Sequence, residues 1–356
     1  MANGETKLES GGGSMLPSRG RRSQKPRKSK RLFFKFILTI SLLFVLLCGG
    51  YLVYLFMQLD DTLGDISADN PVVDIPKEER ASQKPMVLLL LGLDTREATR
   101  TLNTDVIMAF AVNPKTKKAT LVSIPRDLRM QPTGYKEQKA NAFYSISQRY
   151  GKDKPEGPNG LVKKMFGELL DIPIDYLTVI NFKTFEDVID ELGGIEVDVD
   201  MNMCYIDNAD GTNIQLTKGY QKLSGKQALD FVRYRHSTAK CGKNRTAESS
   251  DLERNIRQQQ VLSAMIDKMT SLGGLLKLDS IFKAVGTNVK TDIPKTQLKS
   301  FLTTYAMIKK EDITYISLEG QWRSPYIYVK DELMEQAKLA LKDQLSGKQM
   351  DDAGTP

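Results

Sequence analysis

Histidine and cysteine are scarce in this sequence. Its 356 residues include one His and three Cys. Because zinc sites in proteins are built mainly from these two residue types, the inventory argues against a zinc enzyme. A Ser-His-Asp triad would have to use His236, and no G-x-S-x-G nucleophile motif accompanies it. Any chemistry is therefore expected from other side chains.

Most of the chain has no excess of positive charge, although the net charge is +7. Residues 1–35 contain ten Lys and Arg and only two Glu, so the remainder is close to neutral. A nucleic-acid-binding protein would carry its basic surface on the folded domain. We therefore expect no nucleic-acid partner. The basic tail itself is rich in Gly, Ser and Pro, lacks apolar periodicity and is predicted to be disordered.

One long uncharged run, residues 36–57, has about the length of a membrane-spanning helix. Its N-terminal flank is basic and its C-terminal flank is acidic, so the positive-inside rule puts the N-terminus in the cytoplasm and the C-terminal domain outside the cell. A cleaved signal peptide is the alternative, but its apolar region would be shorter and followed by a small-residue cleavage site. The run therefore predicts a single-pass anchor in the cell membrane.

The rest of the chain divides by composition. Residues 58–85 are polar, contain several prolines and are predicted to form a short extracellular stalk. In residues 86–345, apolar runs typical of strands alternate with segments of helical spacing, which predicts an α/β domain with helices covering a sheet. Residues 346–356 offer no core-forming side chains and are predicted to be disordered.

Two aspartates lie at the ends of neighbouring predicted strands. Asp94 ends the apolar run 86–94 and Asp105 begins the run 105–113. Carboxylates at strand ends sit at the edge where open α/β sheets bind ligands. Two of them could hold Mg²⁺ beside a phosphate, although aspartates that only cap turns are common. Arg126 and Asp127 follow the next predicted strand, 118–125.

An arginine-rich segment spans residues 233–260. Arg233 and Arg235 are two apart and would point the same way on an extended segment, whereas Arg254 and Arg257 are three apart on a predicted helix, 249–269, and would share a face. The guanidinium fork suits phosphate oxygens. Together with Arg126 these side chains form a cluster of like charge, which is costly unless an anion fills it. The alternative is a solvated basic surface with ordinary salt bridges.

Cys204 and Cys241 lie outside the membrane in the predicted topology, while Cys48 falls within the apolar run. Disulfides persist in extracellular compartments. We therefore predict a bond between Cys204 and Cys241, with two free thiols as the alternative.

Seven segments occur in one order along the chain, and they are GLDTR (92–96), NTDVIM (103–108), VSIPRD (122–127), KANAFY (139–144), NFKTFEDVIDELGGIEVDV (181–199), LSGKQALDFVRYR (223–235) and DLERNIRQQQ (251–260). This pattern resembles the LytR-CpsA-Psr family of bacterial, mainly Gram-positive, cell-envelope proteins. The resemblance implies a three-layer α/β/α sandwich with a central mixed sheet and a deep hydrophobic pocket for a polyprenyl chain.

The resemblance also implies an activity. Such a protein transfers an anionic glycopolymer, of the wall teichoic acid or capsule type, from a polyprenyl-pyrophosphate carrier to the 6-hydroxyl of peptidoglycan muramic acid, and polyprenyl phosphate is released. Two alternatives are a polyprenyl-pyrophosphate phosphatase and a non-catalytic envelope regulator or transcriptional attenuator. The near-neutral composition of the large domain speaks against the attenuator.

By position, the resemblance assigns pyrophosphate contacts to Arg96, Arg126, Arg233, Arg235, Arg254, Arg257 and Gln258. It assigns Mg²⁺ or Mn²⁺ to Asp94 and Asp105. The predicted catalytic residues are Arg126, Asp127, Arg235 and Asp94, of which the two aspartates are candidates for the general base. The segment between Arg235 and Asp251 is long for this pattern and leaves Arg245 without a role.

Overall fold

The structure is a computed structural model that describes residues 75–93, 102–208, 211–271, 273–274, 277, 280–281, 289–305 and 308–348. The predicted membrane span 36–57, the basic tail and most of the predicted stalk lie outside the described residues, as do Cys48, Asp94 and Arg96. Within the described ranges, no helix is both long enough and apolar enough to cross a membrane.

The strands of the described residues are β1 (Met86–Leu93), β2 (Thr104–Asn113), β3 (Lys118–Ser123), β4 (Arg129–Met130), β5 (Gln138–Lys139), β6 (Tyr176–Asn181), β7 (Ile195–Val199), β8 (Met203–Asp207), β9 (Thr212–Leu216), β10 (Gly219–Leu223), β11 (Lys290–Thr291), β12 (Ile313–Ser317), β13 (Gly320–Arg323) and β14 (Tyr326–Val329). Their helices are α1 (Phe143–Tyr150), α2 (Gly157–Leu170), α3 (Phe182–Glu191), α4 (Gly225–Arg233), α5 (Asp251–Thr270), α6 (Lys295–Tyr305) and α7 (Asp331–Ser346).

A six-stranded mixed sheet forms the centre, in the order β11-β6-β1-β2-β3-β12. β1, β2 and β3 are antiparallel neighbours, whereas β6 runs parallel to β1 and β12 runs parallel to β3. The central strands are nearly continuous apolar runs because both of their faces are covered. The expected α/β fold with a central mixed sheet is confirmed.

Helices cover both faces of this sheet. Val87, Leu89 and Leu91 of β1 point into a core that also contains side chains of α1, α2 and α7. Leu88 and Leu90 point the other way, toward side chains of α5 and α6. A separate core joins β7 to β10 with α4 and α5, beside the second face of the sheet.

Local sequence signals set the ends of two important helices. Ser224 caps α4 and Ser250 caps α5, and each forms a capping box with the third helical residue, Gln227 or Glu253. The sequence offers Ser224 as a cap for the first of these helices and either Ser249 or Ser250 for the second. Residues 139–150 have the apolar spacing of a helix, but β5 pairs with β4 and α1 begins only at Phe143. The sequence also predicts a helix near 275–286, which lies largely outside the described residues.

Candidate active site

A cavity of about 540 Å³ lies between the second face of the sheet and helices α3, α4 and α5. This volume is within the usual range for small-molecule sites. Its apolar lining consists of Leu90, Val106, Met108, Ile180, Phe182, Phe185, Ile214, Leu229, Val232, Val261, Leu262 and Met265. Such a lining favours a ligand with a substantial hydrocarbon part.

Arginines line the same cavity. Arg126, Arg233, Arg235 and Arg254 all contribute to its wall, and Gln258 lies beside them. They come from three places in the sequence, namely the loop after β3, the end of α4 and the first turns of α5. The arrangement joins an apolar interior to a set of fork-shaped cationic donors, which suits a lipid that carries phosphate groups.

Arg126 is held between two carboxylates. Its Nη1 donates to Oδ1 of Asp105 at 2.7 Å, and its Nε lies 3.4 Å from Oδ2 of Asp127. Burial alone would lower the pKa of the Arg126 guanidinium, but the two carboxylates outweigh burial and raise the pKa. Arg126 therefore stays charged and has a fixed orientation before any ligand arrives.

Asp127 is also held in its ionised form. Burial raises the pKa of its carboxyl group, but Lys139 and Arg126 outweigh burial and leave the pKa below its ordinary value. Lys139 Nζ lies 2.8 Å from Asp127 Oδ1. A carboxylate with a lowered pKa is a weak proton acceptor, so its environment suits the positioning of Arg126 and Lys139 better than base catalysis.

Arg233 and Arg235 reach the cavity from different kinds of backbone. Arg233 is the last residue of α4, and its guanidinium lies 4.9 Å from the centre of the Phe182 ring. Arg235 follows the C-cap, Tyr234, and its carbonyl accepts a hydrogen bond from the Ser249 backbone N–H at 2.6 Å. Their spacing suggested that both point the same way on one extended segment. They do not lie on one extended segment, yet both line the cavity.

Arg257 is the exception among the predicted pyrophosphate contacts. Its side chain is 1% exposed and lies outside the cavity lining. Its Nε and Nη2 donate to the Asp200 carboxylate at 2.9 and 2.7 Å, and Nη1 donates to the Tyr234 carbonyl at 3.2 Å. All three nitrogens are thus engaged by the protein. These contacts point Arg257 toward Asp200 rather than toward a ligand in the cavity.

The helical wheel explains why Arg254 and Arg257 separate. Residues three apart are offset by roughly 60° in one direction, and residues four apart by roughly 40° in the other. Arg254 therefore shares its cavity face with Gln258, while Arg257 turns toward the end of β7. The spacing in the sequence was compatible with both arrangements.

Sequence reasoning missed one wall of the cavity. Tyr205 and Asp207 of β8, and Thr212 and Ile214 of β9, line it from a short hairpin that the sequence pattern did not reveal. His236 also lines it, and its ring meets Tyr205 edge-on at 5.7 Å between centroids. The signal that could have located this hairpin was Cys204, at its first strand.

The predicted disulfide between Cys204 and Cys241 is present. It ties β8 to the segment that follows Arg235, and the Thr238 hydroxyl supports the same junction by accepting from the Ile206 N–H at 3.1 Å. The bond therefore fixes one wall of the cavity to the arginine-rich segment.

We expect the Cys204→Ser, Cys241→Ser double variant to lose about 3–4 kcal/mol of unfolding free energy, because the bond closes a long loop in the unfolded chain. Chemical denaturation under non-reducing conditions measures this loss. Cys48→Ser is the matched control and is expected to have the stability of the parent protein. Equal stability of the double variant and the control would contradict the prediction.

A carboxylate faces the cavity at Asp105. Among the residues that the structure describes, no group of three or more His, Cys, Asp or Glu side chains could by itself hold a metal ion. A divalent ion at this position would bind oxygens of a bound phosphate together with Asp105, which is the usual coordination of Mg²⁺.

A mixed sheet covered by helices, together with an apolar cavity and a wall of arginines, defines a protein that binds an amphipathic molecule with an anionic head. The chain belongs to the LytR_cpsA_psr family, whose sequence profile matches residues 51–346.

Several relatives are named polyisoprenyl-teichoic acid–peptidoglycan teichoic acid transferases. The chain is 31% identical over 322 residues to the polyisoprenyl-teichoic acid–peptidoglycan teichoic acid transferase TagU of Bacillus licheniformis, with 87% of this chain and 94% of the relative covered. The crystal structure of Bacillus subtilis TagV is 29% identical with a TM-score of 0.58, and the match covers 74% of this chain and 98% of that one. A structure of TagT bound to LI-WTA is 27% identical with a TM-score of 0.55, covering 78% and 95%.

Proposed function

We propose that this protein transfers an anionic glycopolymer, of the wall teichoic acid or capsule type, from a polyprenyl-pyrophosphate carrier to the 6-hydroxyl of peptidoglycan muramic acid. The observation that carries the proposal is the apolar cavity whose wall contains Arg126, Arg233, Arg235 and Arg254. The names of the relatives, which describe teichoic acid transfer to peptidoglycan, support the same activity.

The two parts of the cavity match the two parts of such a donor. The polyprenyl chain lies against the apolar lining, and the pyrophosphate meets the arginines. The acceptor hydroxyl oxygen forms a bond to the phosphorus that carries the glycan, and the bond from that phosphorus to the bridging oxygen breaks. The electron pair leaves with polyprenyl phosphate, and the hydroxyl proton passes to solvent.

Charge neutralisation is the main task of the protein in this reaction. Phosphoryl transfer needs little covalent help, but negative charge grows on the leaving oxygens. Arg126 is prepared for this role because Asp105 and Asp127 orient it before the donor binds. Arg235 and Arg254 approach from other elements, so the pyrophosphate is surrounded by donors on more than one side.

We propose Mg²⁺ or Mn²⁺ as the cofactor, held by Asp105 and pyrophosphate oxygens, with Asp94 as a further ligand. Asp105 fits this role because its carboxylate faces the cavity beside Arg126. When bound, the ion would neutralise charge on the pyrophosphate. Asp105 has a second role that needs no metal, which is the orientation of Arg126.

These two roles of Asp105 predict different results. If it is a ligand, Asp105→Ala raises the Mg²⁺ concentration for half-maximal activity about tenfold or more, because a charged ligand is lost. Titration calorimetry of Mg²⁺ into the protein with pyrophosphate present reads the same change without turnover. If the rate instead falls equally at every Mg²⁺ concentration, Asp105 is not a metal ligand and acts only by orienting Arg126. Asp198→Ala, at an exposed position of β7, is the control.

We further propose that residues 36–57 anchor the protein in the cell membrane, with a cytoplasmic N-terminus and an extracellular catalytic domain. The Cys204–Cys241 bond supports the extracellular location, because such bonds are rare in the cytosol. This topology brings the cavity to the side of the membrane where peptidoglycan lies.

Incubation of the full-length protein in detergent with a lipid-pyrophosphate-linked donor, peptidoglycan fragments and Mg²⁺ tests the proposal. We expect glycopolymer joined to the peptidoglycan fragments and release of polyprenyl phosphate. Release of polyprenyl phosphate without the joined product would instead indicate a phosphatase. The absence of both products would contradict an enzymatic role and favour a regulator that only binds the lipid.

A further inference from the structure

A second cavity, of about 280 Å³, adjoins the apolar one. Asp105, Arg126, Arg254 and Gln258 line both cavities and so form the partition between them. A pyrophosphate held at this partition has the apolar cavity on one side and the second cavity on the other. The second cavity would therefore face the side of the pyrophosphate that points away from the apolar cavity.

The walls of the second cavity are largely polar and lead to a surface hairpin. Asp127, Asn255 and Glu319 line it, and so does Gly320, which begins the hairpin formed by β13 and β14. The hairpin is attached to the loop of Arg126, because the Ile327 N–H donates to the Asp127 carbonyl at 2.8 Å. The hairpin thus has a fixed position relative to the partition.

Trp322 lies on this hairpin and is 55% exposed. Lys139 Nζ lies 5.3 Å from the centre of the Trp322 ring and 2.8 Å from Asp127 Oδ1. A continuous series of contacts therefore runs from the cavity partition through Asp127 and Lys139 to the ring. A large exposed aromatic ring beside a polar cavity offers an apolar surface that a ligand can cover.

The surroundings of the ring favour a sugar as that ligand. Tyr328, the aromatic neighbour on β14, is already covered by Arg129 and Arg323 at 5.7 and 5.6 Å. Trp322 stays 55% exposed although Lys139 lies near its ring. The apolar face of a pyranose ring can stack on it while its hydroxyls meet polar neighbours, whereas a stable protein interface would need about 800 Å² per partner.

We infer that Trp322 and the second cavity form the subsite for the acceptor glycan, with Trp322 stacking on a sugar of the peptidoglycan strand. The inference rests on the proposed function. In phosphoryl transfer the attacking and leaving oxygens are roughly in line. Because the leaving oxygen belongs to the lipid phosphate in the apolar cavity, the attacking hydroxyl enters from the second cavity. Trp322 is a positioning residue that directs this hydroxyl to the phosphorus.

The sequence provides its own probe, since Trp322 is the single tryptophan of the chain. We expect a saturable change in tryptophan fluorescence when the full-length protein in detergent is titrated with a lipid-free peptidoglycan oligosaccharide. The half-saturation concentration should agree with the acceptor KM. No change with the oligosaccharide would overturn the inference. A change with the lipid-linked donor alone would also overturn it, because it would assign the ring to the donor glycan.

Kinetics of variants provide the second test. We expect Trp322→Ala to raise the acceptor KM about tenfold, which corresponds to about 1.4 kcal/mol, and to leave the donor KM within about twofold. Trp322→Phe should restore most of the loss. Tyr220→Ala is the control, because Tyr220 is an exposed aromatic outside both cavities. An unchanged acceptor KM in Trp322→Ala would overturn the inference.

The two proposals fail in different ways. If the wild-type protein transfers nothing, the proposed function is wrong, but the fluorescence titration still reports glycan binding because it needs no turnover. If the wild-type protein transfers glycopolymer but its tryptophan fluorescence does not change with the acceptor, only the inference of the acceptor subsite is wrong. Equal thermal unfolding midpoints of wild-type protein and Trp322→Ala show that the variant is folded.

Discussion

Arg126→Ala is expected to lower the rate of transfer at least about a thousandfold while the domain stays folded. The side chain sits in the partition between the two cavities, where it meets the pyrophosphate. Its removal also takes away the cation that Asp105 and Asp127 share, so these carboxylates are less well neutralised beside an anionic substrate, although Asp127 keeps its pair with Lys139. The substrate loses the attraction of Arg126 and meets stronger repulsion from the carboxylates. We therefore expect a larger fall in the rate than the loss of one hydrogen bond would cause.

Single-turnover transfer and circular dichroism measure this effect. Arg149→Ala is the matched control, since Arg149 is an exposed arginine of α1 far from the cavity lining, and its activity should equal that of the parent. Arg126→Lys should recover part of the rate, because it restores the charge without the fork. Full transfer by Arg126→Ala would remove Arg126 from the active site.

Arg257→Ala is expected to lower the unfolding free energy by about 3 kcal/mol. The substitution removes a buried side chain that joins β7 to the segment after α4, and it leaves the Tyr234 carbonyl without this donor. We place the expected loss at the low end for buried ion pairs because Asp200 is partly exposed and can be solvated when Arg257 is absent.

Urea denaturation measures the loss, and Lys310→Ala is the control. Lys310 pairs with Asp267 of α5 at the surface, where both side chains are more than half exposed, and removing it should cost less than about 1 kcal/mol. At a temperature where Arg257→Ala remains folded, it should keep a measurable rate of transfer. A variant of parental stability that has lost transfer would show that Arg257 contacts the pyrophosphate after all.

Local signals in the sequence located much of the fold. The apolar run of β1 marks a strand covered on both faces, and the capping boxes at Ser224 and Ser250 mark helix starts through contacts within four residues. Short hairpins escaped prediction. β8 to β10 and β13 are brief and mixed in polarity. The stability of β8 to β10 depends on packing against distant helices rather than on their own pattern, and all four residues of β13 are exposed.

Some features of the candidate site could likewise be predicted from the sequence, and others could not. The sequence indicated that Arg126, Arg235 and Arg254 serve one anion, because arginines on several predicted elements are costly without one. It could not separate Arg254 from Arg257, since their spacing fits a shared face as well as a divergence. Only the packing of α5 against β7 turns Arg257 inward to Asp200.

The sequence by itself determined the charge distribution, the α/β character, the segments of family resemblance and the two cysteines able to pair outside the predicted anchor. These properties depend on composition and on contacts between residues close in the chain. Only the tertiary structure decided that arginines lie between two cavities, that a hairpin near residue 205 closes one wall, and that Lys139 links Trp322 to Asp127. Such contacts join residues far apart in the chain, and the geometry that selects them belongs to the packed sheet and helices.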